Sequence, residues 1–260
     1  MERYNYDTIK VEVQEKIAIT TLNRPEVLNA VNVQMIGELD NFFEEVSKDE
    51  EVNVVVLTGA GRCFCAGGDV KDMDAGTMAQ TLRRIGRIKP YARMLDVEQP
   101  IIAAVNGPAI GMGSCLALFS DMAFMANDAK MGDPHVLRAI LASDGSVIYP
   151  LMVGLNKAKE LLLLGDLVPA EEAERIGLIN KAVPPEELMP TVMAVARRLA
   201  SGPTLAIRGT KLALNKPLRD QLNLVLDAAW YAEAVTMMSE DFKESSRAFL
   251  EKREPKYVGR

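Results

Sequence analysis

The chain has 260 residues, of which 48% are hydrophobic and 25% are charged, a composition typical of one soluble globular domain and unlike that of disordered, collagenous or coiled-coil proteins. Acidic residues outnumber basic residues 36 to 30, and the formal net charge of -6 excludes a bulk electrostatic attraction to nucleic acid or to anionic lipid. Three cysteines and a polar N-terminus without a hydrophobic export segment predict a reducing, cytoplasmic location.

The first half of the chain predicts alternating strands and helices. Residues 9–21 follow the two-residue period of strands and predict a hairpin. Asn32 is predicted to cap a helix whose apolar residues recur every three or four positions as far as Val46. The apolar runs at residues 52–57 and 101–105 predict strands that are buried on both faces, with a helix near residues 78–96 between them.

Residues 99–120 carry no charged side chain and would be long enough to span a bilayer. Prolines and glycines such as Pro108 and Gly111 would interrupt a membrane helix repeatedly, so the segment predicts a buried strand, a glycine-rich turn and a helix from Gly111 to about residue 120. A further strand is predicted at residues 122–126. The alternation of strand and helix predicts an α/β core with right-handed crossovers and no membrane span.

Beyond Pro150 the sequence predicts mainly helices, which occupy residues 156–164, 169–176, 185–200, 203–214, 217–238 and 239–253. We therefore divide the chain into an α/β core at residues 1–200 and a helical region at residues 201–260. The helical region carries more apolar side chains than a terminal segment usually exposes, which predicts that copies of the chain associate. These side chains are Leu222, Leu224, Val225, Ala228, Ala229 and Trp230.

Two segments share one pattern, in which a buried strand is followed by small residues and then directly by a predicted helix. They are residues 63–69, after the first buried strand, and residues 106–113, after the second. The N–H groups at the start of a helix have no acceptor within the helix, and glycine lets a ligand oxygen approach them closely. The pair could donate two N–H groups to one oxygen and stabilise an oxyanion or an enolate, or it could be two tight turns.

The sequence resembles the enoyl-CoA hydratase/isomerase (crotonase) superfamily over essentially its whole length. The resemblance rests on five ordered motifs, which are NRP at 23–25 with LNA at 28–30, FCAGGDVK at 64–71, VNGPAIGMG at 105–113, AEEA at 170–173 with GLIN at 177–180, and EDFKE at 240–244 with FLEKR at 249–253. It implies an α/β fold with a spiral core of ββα repeats and a helical C-terminal region through which three subunits associate.

The resemblance also implies the ligands and the site. Members of this superfamily act on acyl-CoA thioesters, need no cofactor beyond the CoA that the substrate carries, and form homotrimers or hexamers. The thioester oxygen would be held between the backbone N–H groups of Gly68 and Met112. The implied CoA contacts are Arg24, Ala66 and Lys71 of one subunit, with Phe249 and Lys252 of a neighbouring subunit.

The sequence departs from the superfamily at the two positions where typical hydratases carry glutamates, which here are Cys115 and His135. A paired-carboxylate addition of water therefore does not transfer to this chain. Cys115 lies in an apolar stretch and is predicted to be a packing residue rather than a nucleophile. Cys63 and Cys65 lack the further cysteines or histidines that a zinc site needs, so no metal is predicted.

His135 is the only histidine of the chain and is followed nine residues later by Asp144. The two residues resemble a pair in one subgroup of the superfamily, the β-diketone hydrolases, in which a matching histidine and aspartate act together on a carbon–carbon bond. We predict that His135 is a general base and that Asp144 orients its imidazole. Asp133 is the rival carboxylate for this contact. In a purely structural alternative, His135 caps a loop and Asp144 caps a helix.

The sequence therefore predicts an enzyme that hydrates or dehydrates an acyl-CoA thioester, or catalyses a related lyase step, through an enolate held by two N–H groups. A carbon–carbon bond hydrolase of a β-dicarbonyl substrate is the first alternative. A non-catalytic acyl-CoA binding protein, which kept the pocket and lost both carboxylates, is the second. The acyl group and the direction of the reaction are left open.

Overall fold

The computed structural model describes residues 4–69 and 90–260 of the chain. Within these residues the strands are β1 (Ile9–Gln14), β2 (Ile17–Leu22), β3 (Val54–Gly59), β4 (Ile101–Val105), β5 (Ala109–Ile110), β6 (Met122–Ala126), β7 (Lys130–Gly132), β8 (Val168–Pro169) and β9 (Lys181–Val183). The helices are α1 (Val33–Ser47), α2 (Pro90–Asp96), α3 (Met112–Leu118), α4 (Ser143–Val153), α5 (Leu155–Leu164), α6 (Ala170–Arg175), α7 (Pro185–Ala200), α8 (Thr204–Thr236) and α9 (Glu240–Glu251). Short 3-10 turns lie at Pro25–Val27 and His135–Arg138.

The described strands form two sheets. The larger sheet has the order β1-β2-β3-β4-β6-β9, in which β1 and β2 form the predicted antiparallel hairpin and the other neighbours are parallel. The smaller sheet has the order β5-β7-β8. Strand β4 is buried along its whole length, as expected for a strand that is covered on both faces. The predicted α/β class is confirmed, and so are the strands predicted at residues 101–105 and 122–126.

Helix α1 begins where the sequence predicts. Asn32 caps it, because its side-chain oxygen accepts a hydrogen bond from the N–H of Met35 at 2.8 Å. The apolar side chains recur every three or four residues and therefore share one face, which is buried in the core. Its members are Met35, Leu39, Phe42, Phe43 and Val46.

The C-terminal part is helical as predicted, with one correction near Pro217. The sequence predicts a break between residues 214 and 217, whereas α8 is a single helix that contains this proline. A proline inside a helix removes one backbone hydrogen bond and favours a kink. Packing on both sides offsets this cost, because Lys211 before the proline and Leu222 after it are both buried.

The apolar face that was predicted for association between subunits is only partly exposed. Leu222 and Trp230 are buried in the core of the same chain, whereas Leu224 lies on the opposite side of the helix and is 73% exposed. The exposed large apolar side chains of α8 are Leu205, Leu214, Leu224, Tyr231 and Val235. The division into residues 1–200 and 201–260 falls between α7 and α8 and stays a prediction.

Some elements lie beyond what sequence periodicity can detect. Strands β5, β7, β8 and β9 have only two or three residues each, which leaves no room for a visible alternation. Of the helix predicted near residues 78–96, the part at Pro90–Asp96 is helical and the rest lies outside the described residues. Among residues 4–69 and 90–260, no helix combines the length and the apolar character that a membrane crossing requires.

Candidate active site

The two glycine-rich segments begin at the same edge of the larger sheet. Strands β3 and β4 are neighbouring and parallel, with Val55 paired to Ile101, so their carboxyl ends lie side by side. Residues 60–69 continue from the end of β3, and residues 106–111 continue from the end of β4. The fold therefore brings both segments to one place.

Two asparagine side chains hold these segments in shape. Asn29 donates hydrogen bonds to the carbonyl oxygens of Ala60 at 2.9 Å and Cys63 at 2.7 Å. Asn106 accepts a hydrogen bond from the N–H of Gly59 at 3.0 Å and donates one to the carbonyl oxygen of Gly61 at 2.9 Å. Both asparagines belong to the sequence motifs that carry the family resemblance, and their role is to satisfy backbone groups at the end of β3 and in the segment that follows it.

The two segments are hydrogen-bonded to each other as a short parallel bridge between Cys65 and Ala109. Cys65 donates its N–H to Pro108 at 3.1 Å and accepts the N–H of Ile110 at 2.9 Å. Glycine at position 113 makes this close approach possible, because a Cβ on Gly113 would lie 2.4 Å from the carbonyl oxygen of Cys65. The segments thus run side by side in a defined register.

Gly68 and Met112 each lie three residues beyond the bridged residues of their own segment. Val31 forms a parallel bridge with Gly68 through the residues on either side of Gly68. The carbonyl oxygen of Val31 accepts the N–H of Asp69 at 2.9 Å, and the N–H of Val31 donates to the carbonyl oxygen of Gly67 at 2.8 Å. The N–H of Gly68 itself therefore points away from Val31. Met112 is the first residue of α3, so its N–H has no acceptor one turn earlier in the helix. The structure places both predicted N–H donors on adjacent segments at one edge of the sheet.

His135 lies beside the second of these segments. Strand β5 pairs with β7, and the N–H of Gly111 donates to the carbonyl oxygen of Gly132 at 2.8 Å, which brings the residues after β7 close. Gly111 has a φ of +53°, and a Cβ added to it would lie 3.2 Å from Cε1 of His135. The imidazole therefore packs directly on the residue that precedes Met112.

The carboxylate that contacts His135 is Asp133, which corrects the predicted pairing with Asp144. Nδ1 of His135 forms a hydrogen bond with Oδ1 of Asp133, two residues away. Asp144 lies in the first turn of α4, where it accepts a hydrogen bond from the indole N–H of Trp230 at 2.9 Å. A buried indole N–H needs an acceptor, and α8 packs on α4 so that Asp144 supplies it. Asp144 does not cap α4, whose N-cap residue is Ala142.

The surroundings of His135 keep its ring protonated. Burial by itself would lower the pKa of the imidazole, but the charge and hydrogen bond of Asp133, followed by the charges of Glu233 and Asp144, raise it from 6.5 to about 9. At pH 7 the ring is therefore an imidazolium, which can donate a proton but cannot accept one. The predicted role of a neutral general base does not fit this charge state.

Glu233 is a candidate functional residue that no sequence motif indicates. It lies near the end of α8, and its Oε2 accepts a hydrogen bond from Oγ of Ser143. Burial, followed by the charge of Asp144, raises the pKa of Glu233 to about 7 against the opposing charge of His135. No motif surrounds Glu233, and its place in the site follows from the packing of α8 against α4. We call Asp133, His135, Asp144 and Glu233 the ionisable cluster.

Cys115 is fully buried on α3 near this cluster. Burial, followed by the charges of Asp133 and Asp144, raises the pKa of its thiol well above the usual range. The side chain is therefore a neutral thiol and not a nucleophilic thiolate, in keeping with the packing role predicted for it. In the part of the chain that the structure describes, no three histidine, cysteine, aspartate or glutamate side chains are grouped as they would be around a metal ion.

The predicted CoA contacts near the glycine-rich segments are partly engaged within the chain. Nη1 of Arg24 donates to the carbonyl oxygen of Ala30 at 2.6 Å and pairs with Oδ2 of Asp69 at 3.0 Å. The N–H of Ala66 donates to the carbonyl oxygen of Leu28 at 3.0 Å. Lys71 lies outside the described residues. These contacts hold the first segment in place, and the CoA role of the three residues stays a prediction.

Of the two CoA contacts predicted in the C-terminal region, Phe249 packs on the turn that carries His135. Phe249, on α9, is 52% exposed, and the guanidinium carbon of Arg138 lies 4.0 Å from the centre of its ring. Lys252 follows α9 in the left-handed conformation and is exposed. Phe249 thus contacts its own chain, and the predicted approach of Phe249 and Lys252 to CoA in a neighbouring subunit stays a prediction.

The similarity of this chain to known proteins extends over nearly its whole length. A sequence profile of the enoyl-CoA hydratase/isomerase family matches residues 12–260. The chain is 36% identical to a crotonyl-CoA hydratase from Syntrophomonas wolfei over 98% of its own length and 99% of the relative's. It is 35% identical to a short-chain-enoyl-CoA hydratase from Clostridium acetobutylicum, over 95% of this chain and 96% of the relative.

A solved structure shares the same architecture. The crystal structure of an enoyl-CoA hydratase from Mycobacterium avium subsp. paratuberculosis K-10 has a TM-score of 0.88 to this chain at 29% sequence identity, and the match covers 98% of this chain and 100% of the other. Agreement over the complete length includes the α/β core and the helical C-terminal region together.

Proposed function

Because this chain belongs to the enoyl-CoA hydratase/isomerase family, we propose that it adds water to the double bond of a short-chain enoyl-CoA thioester and removes water in the reverse direction. Its full-length similarity to two hydratases makes it an enoyl-CoA hydratase-like enzyme. The names of these relatives, a crotonyl-CoA hydratase and a short-chain-enoyl-CoA hydratase, support a short acyl chain. The proposed reaction needs no cofactor besides the CoA of the substrate.

The observation that carries the proposal is the pairing of the two glycine-rich segments. Addition of water at C3 moves the electrons of the double bond toward the thioester carbonyl, whose oxygen becomes negatively charged. The N–H groups of Gly68 and Met112 are proposed to hold this oxygen. The bridge between Cys65 and Ala109 supports the assignment, because it aligns the segments so that both N–H groups lie three residues further along.

His135 has a different part in this proposal from the one predicted from the sequence. As an imidazolium packed on Gly111, it supplies positive charge close to the place where the enolate oxygen develops. The β-diketone hydrolase alternative requires a neutral His135 that activates water together with Asp144. Neither the hydrogen bond to Asp133 nor the pKa of about 9 supports that alternative.

CoA is proposed to lie along the first glycine-rich segment, near Ala66 and Lys71. Arg24 can take part while Nη1 stays on Asp69, because the guanidinium has two further nitrogens that can donate to phosphate oxygens. Phe249 and Lys252 are proposed to close over the nucleotide.

Incubation of the protein with crotonyl-CoA tests the proposed function. We expect the ultraviolet absorbance of the conjugated thioester to fall and mass spectrometry to show a product heavier by one water. Crotonic acid without CoA is the matched control and should not react. Binding of crotonyl-CoA in calorimetry without any product would favour the non-catalytic alternative, and failure to bind at millimolar concentration would contradict the acyl-CoA assignment itself.

A homotrimer or hexamer is proposed, with α8 as a contacting surface. Leu224 is 73% exposed on this helix, although it is a large apolar side chain. We expect light scattering at micromolar concentration to give three or six times the 28.5 kDa of one chain. Leu224→Glu should lower that mass, whereas Leu163→Glu, at a side chain of α5 that is 71% exposed, serves as the control. A wild-type mass of one chain would contradict the assembly.

A cytoplasmic location is proposed as well. The three cysteines, Cys63, Cys65 and Cys115, are free and buried, which suits a reducing compartment. Recovery of the protein from the exported or the membrane fraction of its cells would contradict this location.

A further inference from the structure

The end of α8 is held against the start of α4 by three hydrogen bonds. The indole N–H of Trp230 donates to Oδ1 of Asp144 at 2.9 Å, and Oγ of Ser143 donates to Oε2 of Glu233. Oγ1 of Thr236 accepts a hydrogen bond at 3.1 Å from the backbone N–H of Leu141, which lies just before α4. Glu233 lies between the other two contacts, so its carboxylate has a defined position and is not a mobile surface group.

Glu233 interacts electrostatically with ionisable groups from two other elements. Asp144 belongs to α4, and His135 and Asp133 belong to the turn after β7. Burial raises the pKa of Glu233 to about 7, with Asp144 adding to the rise and with His135 and the Ser143 hydroxyl opposing it. A carboxyl group with this pKa is ionised in part at neutral pH and can accept and return a proton.

Hydration requires a group that takes a proton from water and a group that delivers a proton to C2. Neither of the two residues that replace the usual glutamates can begin as the base. Cys115 is a buried neutral thiol, and His135 is an imidazolium. The ring of His135 nevertheless packs on Gly111, next to the proposed oxyanion donor Met112. Its partner Asp133 packs on the first turn of α4, because a Cβ on Gly145 would lie 2.3 Å from Oδ2 of Asp133. Ser143 of the same turn holds Glu233.

We propose that Glu233 is a catalytic acid–base residue of this site, held by Ser143 at the start of α4 near the pair formed by His135 and Asp133. This inference rests on the proposed hydratase function. The carboxylate of Glu233 removes a proton from water, and the water oxygen forms a bond to C3. The electrons of the C2–C3 double bond move toward the thioester oxygen to give the enolate. The Glu233 carboxyl group then returns its proton to C2 as the carbonyl reforms, so that one water has been added and Glu233 is unchanged.

Glu233→Gln tests this inference without removing the contact to Ser143, because the amide oxygen can still accept the hydroxyl hydrogen. We expect kcat for crotonyl-CoA hydration to fall by about 10²-fold or more, with CoA affinity and the thermal unfolding midpoint unchanged. The wild-type rate should rise with pH through about 7 as Glu233 ionises, and the variant should lose this rise. Asp220→Asn, at an exposed residue of the same helix, is the control.

A second measurement separates this inference from the proposed function. In D₂O, Glu233 should exchange the C2 protons of the saturated thioester butyryl-CoA, which NMR detects without any hydration. Exchange by the wild type and its loss in Glu233→Gln support the role of Glu233 even if crotonyl-CoA is not hydrated. A folded Glu233→Gln variant within threefold of the wild-type rate, with the same pH profile, would overturn the inference and leave the hydratase function in place. A wild type that neither hydrates nor exchanges would overturn both.

Discussion

Removing the N–H of Met112 or of Gly68 is expected to lower kcat for crotonyl-CoA hydration by at least about a hundredfold, the loss that follows deletion of one oxyanion donor. Proline makes this change, because it has no backbone N–H. Met112→Pro should keep the fold, since Met112 is the first residue of α3 and proline is favoured at the first position of a helix. Gly68→Pro removes the other donor.

Met112→Leu is the matched control, because it changes the side chain and keeps the N–H. We expect this variant to remain within threefold of the wild-type rate. Thermal unfolding and CoA affinity identify which of the variants are folded and able to bind. Wild-type turnover in a folded Met112→Pro variant would show that the thioester oxygen is held elsewhere.

Replacing Asp133 by asparagine is expected to lower the pKa of His135 from about 9, because Asp133 makes the largest contribution that raises it. The asparagine carries no charge, and the burial that lowers the pKa of the imidazole remains. His135 is the only histidine, so the proton on its Cε1 gives one assignable NMR signal that can be followed through a pH titration. Asp128→Asn, at an exposed residue outside the cluster, should leave that titration unchanged.

The same substitution should change stability. The folded-state pKa of His135 lies above its ordinary value of 6.5, so the stabilisation is fully present below pH 6.5 and is lost as the pH rises through about 9. A shift of this size corresponds to roughly 3 kcal/mol in the free energy of unfolding. Urea unfolding of Asp133→Asn at pH 6 should show a loss of that order. A wild-type signal that titrates near 6.5, or equal stabilities of the two proteins, would contradict the ion pair.

The sequence by itself determined the α/β class, the hairpin, the start of α1 and the positions of β4 and β6. These features depend on local signals, such as side-chain periodicity along a strand and the capping side chain of Asn32, which act within a few residues. The glycine-rich segments were also recognisable, because close backbone approach requires glycine at positions such as Gly113.

The tertiary structure decided which groups meet in the site. In the sequence, Asp133 and Asp144 were both candidate partners of His135. The packing of α8 on α4 places the indole N–H of Trp230 on Asp144, and His135 contacts Asp133. The same packing carries Glu233 into the cluster from a distant part of the chain. The charge of His135 was unpredictable for the same reason, since the pKa of a buried group depends on charges that the fold brings together from separate segments.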